Sequence, residues 1–204
     1  MPVIQTVFSP LAPAKNLVGS ANLFVHLRQY PDALQLGLKT ITESTRRFVE
    51  AAIKTGISGI FYAVQHAQFH LLSPSEYQVY GYTYDLKILE LAQALWLNML
   101  HLHGENVMFD LFADCPVGII NWHDRDTFPD LAEGQKRFPG VACGGLQREL
   151  TMVLGTPEQV KSEARQAIQA TGGRRFILGT GCVVPIIAPR ANLLAARRSV
   201  EVVG

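Results

Sequence analysis

Trp96-Leu97-Asn98-Met99-Leu100-His101-Leu102-His103-Gly104 is the stretch on which the reading of this chain turns. An apolar run closes in two histidines two residues apart, so in an extended strand both imidazoles point to one face. A second run, Phe176-Ile177-Leu178-Gly179-Thr180-Gly181, closes in Cys182. If both runs are strands, their polar ends mark the same edge of one sheet. Two imidazoles and a thiol are groups that zinc accepts as ligands.

Outward from these ends the chain repeats one pattern. Residues 2–8 are a short β-branched run stopped by Ser9-Pro10, and a helical pattern follows from about residue 14. Residues 33–55 place Leu34, Leu38, Ile41, Phe48, Val49, Ala52 and Ile53 at near-helical spacing, and Gly56 ends the pattern. Residues 57–64 form the next apolar run, ending in Gln65-His66, and Ser73-Pro74-Ser75-Glu76 reads as a helix start. Leu86, Leu89, Leu91, Leu95 and Leu97 lead into the run that ends at His103. Residues 117–122 end in His123-Asp124-Arg125, Pro129 opens a short helix, and residues 140–143 lead into Gly144-Gly145-Leu146. Thr156-Pro157 caps a helix to about residue 170, and a last strand from Arg175 to about Gly181 precedes a final helix from about Asn192. Six apolar runs, each followed by a helical segment, predict an α/β fold whose parallel strands are covered on both faces. In a barrel of this class the strand ends meet at one catalytic face. That face would gather Gln65, His66, His101, His103, His123, Asp124, Arg125 and Cys182.

Composition narrows the function. The 204 residues are 48% hydrophobic and 17% charged, which is globular composition. A net charge of +1 with scattered arginine pairs leaves no electrostatic footprint for nucleic acid or an anionic membrane. No apolar run reaches the ~20 residues of a membrane span, and no basic leader opens the chain. Three cysteines without a Cys-x-x-Cys spacing argue for a reducing compartment, so a cytoplasmic protein is expected.

The strand ends also carry a family resemblance. Phe8-Ser9-Pro10, Ile119-Ile120-Asn121-Trp122, Gly144-Gly145-Leu146, Gly155-Thr156-Pro157-Glu158-Gln159-Val160 and Ile177-Leu178-Gly179-Thr180-Gly181-Cys182-Val183-Val184-Pro185 occur in this order. Together they resemble the uroporphyrinogen decarboxylase superfamily, a TIM (β/α)8-barrel family of porphyrinogen decarboxylases and zinc-dependent, corrinoid-linked methyltransferases. Asn121 stands where the family has Asp. The resemblance implies that residues 1–204 are a single domain of about six βα units lacking the first two. The barrel is then incomplete, or completed by another segment, a partner chain or a homodimer, or the chain is a fragment of a longer gene product.

The methyltransferase branch holds zinc by a His-x-Cys pair and a Cys on the last strand. The matching positions are His101, His103 and Cys182, with His103 in place of Cys, a change that zinc accepts and that makes the ion more electrophilic. The resemblance implies a position open to the thiol of a small-molecule substrate, and a corrinoid, carried by a corrinoid protein, as methyl source. Glu105 and Asp124 are candidate catalytic residues that accept an imidazole N–H, and Gln65, His66, His123 and Arg125 are candidate substrate-binding residues. Plainer readings stand beside these: hydrogen-bonded strand-end histidines, a small buried Cys182, a Gln65-His66 pair facing water, salt-bridged loop residues at 123–125, and glycines at 144–145 that serve backbone geometry. A tetrapyrrole decarboxylase would need a Tyr where Asn16 stands and a His in the Gly179-Thr180-Gly181 turn. A non-catalytic subunit of the family is the third reading.

Overall fold

The computed structural model describes residues 1–201 and divides into two units, Met1–Gly118 and the residues from Ile119 onward. Each apolar run of the sequence contains a strand, and the pairings within each unit are parallel. In the first unit β1 (Ile4–Phe8), β2 (Gly59–Val64) and β3 (Met99–Leu102) lie in chain order. Their register sets Phe8 opposite Ala63 and Ala63 opposite His101.

The first connection holds three helices, α1 (Leu11–Val18), α2 (Ser20–Gln29) and α3 (Pro31–Lys54). Helix therefore begins at Leu11, earlier than the sequence pattern suggests, and Gly19 at φ +89° splits α1 from α2. Pro31 opens α3, and its apolar stripe of Leu34, Leu38 and Val49 is buried. Among the described residues no helix is long and apolar enough to cross a membrane.

The second connection runs through α4 (Pro74–Tyr77), a π-helical turn at Gln78–Tyr82 and α5 (Thr83–Ala92). A buried carboxylate fixes this layer to β2. Asp85 accepts hydrogen bonds from Tyr62 Oη at 2.6 Å and Tyr77 Oη at 2.5 Å. Burial pushes its acid up to about 6 although both hydroxyls favour the anion.

The strand that ends in the histidines starts only at Met99. Trp96 is 72% exposed, while the buried Asn98 spends its amide on other backbone. Its Nδ2 donates to Ala92 O and Leu95 O, finishing the turn after α5, and its Oδ1 accepts from Ile60 N.

In the second unit β4 (Ile119–Trp122), β5 (Val141–Leu146) and β6 (Phe176–Thr180) again follow chain order. Helix α6 (Leu131–Arg137) begins after Pro129, because Asp130 supplies the cap by accepting from Glu133 N. Helix α7 (Pro157–Thr171) starts at the cap read from the sequence, and the structure adds a capping box, with Thr156 and Gln159 bonding reciprocally and Gly172 left-handed at the helix end. Helix α8 (Arg190–Arg198) lays Ala195 into a cluster with Leu146, Met152, Val160 and Ala164. Six strands are present among the described residues, against eight in a complete barrel of this class.

Candidate metal centre

In the first unit the histidine pair follows from strand geometry. His101 is 4% exposed, and its ring stacks on Phe61 with centroids 5.4 Å apart and planes 22° apart. His103 lies one position past β3 but continues the ladder, donating its N–H to Val64 O at 2.9 Å. The two rings lie 5.7 Å apart on one face, and each offers a ligand nitrogen within 4.8 Å of the other.

Gln68, which sequence reasoning missed, secures the turn after them. Its Nε2 donates to Gln65 O at 2.7 Å and its Oε1 accepts from Glu105 N at 3.1 Å. Gly104, at φ +97°, passes so close to this amide that a Cβ would strike it. Glu105 is exposed and takes part through its backbone N–H.

Gln65 lines a cleft of about 500 Å³ together with Phe8, Lys15, Asn16 and Phe48. His66 does not face water. It is 5% exposed, and burial, aided by the Lys15 charge, holds its imidazole down at about 4, so it is neutral near pH 7. Its Nδ1 has no hydrogen-bond partner among the described residues.

In the second unit a second pair forms from segments distant in sequence. Asn121 Nδ2 donates to Cys143 O at 2.9 Å and to Thr180 O at 3.1 Å, tying the end of β4 to β5 and β6. Gly181 then crosses the β4 end, where any Cβ would lie 2.7 Å from both Trp122 O and His123 Cα. The crossing sets Cys182 beside His123, with thiol and ring nitrogen within 4.8 Å.

The neighbours of this pair were also invisible in the sequence. His123 Nδ1 faces Asp126 Oδ2 at 3.8 Å, and Asp126 Oδ1 accepts from Gln147 Nε2 at 3.1 Å. Arg148 hydrogen-bonds both the Cys182 side chain and Glu149.

Asp124 and Arg125 serve a different peptide. Asp124 Oδ2 accepts from Gly145 N at 3.0 Å, while Arg125 Nε and Nη2 donate to Gly145 O at 2.9 and 2.6 Å. Asp124 is 5% exposed, and burial pushes its carboxyl up to about 7. Gly145 sits at φ +99°, and a Cβ on Gly144 would strike the Asp124 carboxylate, so both glycines serve close backbone geometry. Cys115 and Cys143 are buried thiols pushed up to about 12, which leaves them inert.

These strand ends match a known family along their length. The model of the uroporphyrinogen decarboxylase (URO-D) family matches residues 1–202. The chain belongs to this family. A uroporphyrinogen decarboxylase of a Synechococcus species is 23% identical over 80% of this chain and 44% of its own length. The Methylcobamide:CoM methyltransferase MtbA of Methanosarcina mazei is 23% identical over 95% of this chain and 56% of its own. A solved methyltransferase from Methanosarcina mazei shares the fold, with a TM-score of 0.85 at 21% identity over 98% of this chain and 58% of that one. The family chain therefore has the α/β architecture of the TIM-barrel class, and it spans about half the length of the curated relatives it matches.

Proposed function

We propose that this URO-D family chain is a methyltransferase-type enzyme in which His101 and His103, joined by Cys182, hold a zinc ion. The reading treats residues 1–204 as one domain that moves a methyl group between a corrinoid and a small thiol. The observation that carries it is the ligand set: two imidazoles fixed on one strand face, and a thiol held among polar neighbours at the end of the last strand. The wider match to the methyltransferase, 95% of this chain against 80% for the decarboxylase, supports the same branch. Asn16 on the cleft wall and the Gly179-Thr180-Gly181 turn offer neither the Tyr nor the His of the decarboxylase reading.

When bound, zinc would lower the pKa of a substrate thiol and keep it as the nucleophilic thiolate. The protein's own residues supply the rest. Phe61 covers one face of His101 and fixes its ring, so little reorganisation is needed for ligation. Gln65, Asn16 and Lys15 give the cleft two amides and one cation for orienting a small polar substrate. His66, neutral at pH 7, is restricted to hydrogen bonding. Asp124 and Arg125 hold the Gly145 peptide at the end of β5, and Glu105, through its backbone N–H on Gln68, holds the turn after His103. A corrinoid-carrying protein is the partner this chemistry needs, and a cytoplasmic homodimer is the assembly proposed with it.

Metal analysis tests the reading. Purified protein is expected to carry one zinc per chain, and Cys182→Ser and His101→Ala to reduce it strongly. Absence of stoichiometric zinc, or zinc indifferent to Cys182→Ser, would sink the proposal.

A further inference from the structure

We infer that Gln68 is a positioning residue: its side-chain amide sets where the His103 ring stands and ties that ring to the cleft wall at Gln65. The zinc-ligand role of His103 belongs to the reading above, whereas the placement of its ring rests on the first unit alone. The two histidines are held by different means. His101 lies inside β3 and leans on Phe61, with ring centroids 5.4 Å apart. His103 lies past the strand end, so its ladder bond to Val64 O fixes only one side of the residue. On the other side come Gly104, at φ +97°, and the Glu105 N–H, which donates to Gln68 Oε1 at 3.1 Å.

The chain around Gln68 is built to carry this bond. The segments that follow β2 and β3 pair with each other: Gln68 and Val107 form an antiparallel bridge, Phe69 N donates to Asn106 O at 2.9 Å, and Met108 N donates to Ala67 O at 2.8 Å. Gln68 itself is buried, and both ends of its amide are engaged, Oε1 by Glu105 N and Nε2 by Gln65 O at 2.7 Å. A Cβ on Gly104 would strike Oε1, Cδ and Nε2 together, so glycine alone lets the peptide after His103 pass over the amide. One planar group therefore joins that peptide to Gln65, which lines the cleft. The two bonds can be separated chemically. A carboxylate at position 68 could still accept from Glu105 N but has no proton for Gln65 O.

Imidazole NMR of the metal-free chain and cobalt(II) titration of the full chain test this on Gln68→Met and Gln68→Glu. Gln68→Met keeps the length of the side chain and removes both bonds. It should displace the His103 ring signals, leave those of His101 in place and weaken cobalt binding about 10-fold, the effect of losing support behind a ligand. Gln68→Glu should restore the His103 signals and most of the affinity, while the backbone amides of Gln65 and His66 shift. That rescue separates positioning from a general loss of stability, which melting reads for each variant. Should Gln68→Met not fold, Gln68→Glu decides: a shift on both sides, or on neither, counts against the role. Unchanged His103 signals and cobalt affinity in folded Gln68→Met overturn the inference and leave the metal reading standing. A chain that binds no cobalt overturns the metal reading, and the His103 signals still decide the role of Gln68.

Discussion

His101 and His103 in the first unit, and His123 and Cys182 in the second, reach ligand spacing by opposite means. The first pair needs only the period of a strand, one ladder hydrogen bond from His103 to Val64 and a Phe61 ring to lean on. The second pair is assembled across β4 and β6 by a missing side chain at Gly181 and a bridging amide at Asn121. A strand face supplies spacing by its repeat and tolerates change around it. A crossing of two backbones tolerates almost none.

That contrast can be broken most sharply at Gly181. Gly181→Val is expected to cost about 3 kcal/mol in urea denaturation, because the new atoms meet backbone that cannot rotate away, and to abolish metal uptake. A stable, metal-competent Gly181→Val would show that the crossing does not build the second pair. Asn121→Ala should cost about 2 kcal/mol by leaving two carbonyls without their donor, and should loosen His123 while the His101 and His103 resonances stay in place.

Phe61→Ala attacks the other pair. A loss of about 1–2 kcal/mol is expected from this half-buried ring, with the His101 imidazole signals broadened and those of His123 unaffected. A last test reads the frame behind the first pair through pH rather than through lost contacts. Asp85 has its acid raised to about 6, so the folded chain keeps this proton where the unfolded chain has lost it. Its contribution to stability is full below about pH 4, falls as pH rises toward 6 and is flat above. A shift of about two units corresponds to about 3 kcal/mol across that window, and Asp85→Asn should remove that slope from a series of melts against pH.

Legibility in the sequence follows the same division. The strands, the Thr156 cap of α7 and the shared face of His101 and His103 are local patterns, and each is present where the residues predict it. Residue chemistry overrode pattern in places. Asn98 belongs to the apolar run by position, yet its amide bonds Ala92 O, Leu95 O and Ile60 N, so the strand starts after it. Gly19 cuts one helical pattern in two. Asp126, Gln147 and Arg148 could not be read in advance, because each matters only through a neighbour brought close by the fold. Gln68 was hidden for the same reason, with both amide ends spent on backbone from two different turns.

Asn121 has a consequence for how this chain departs from its family. The resemblance places an aspartate at this position, but here the side chain gives protons to two carbonyl oxygens, Cys143 O and Thr180 O. An ionised carboxylate has no proton to give and would set negative oxygen against both. The hydrogen-bond polarity of the junction is reversed relative to a carboxylate, and restoring Asp at 121 alone would make the strand ends repel. Sequence exchange at this position is therefore coupled to the backbone it meets, and the amide works as a one-way latch.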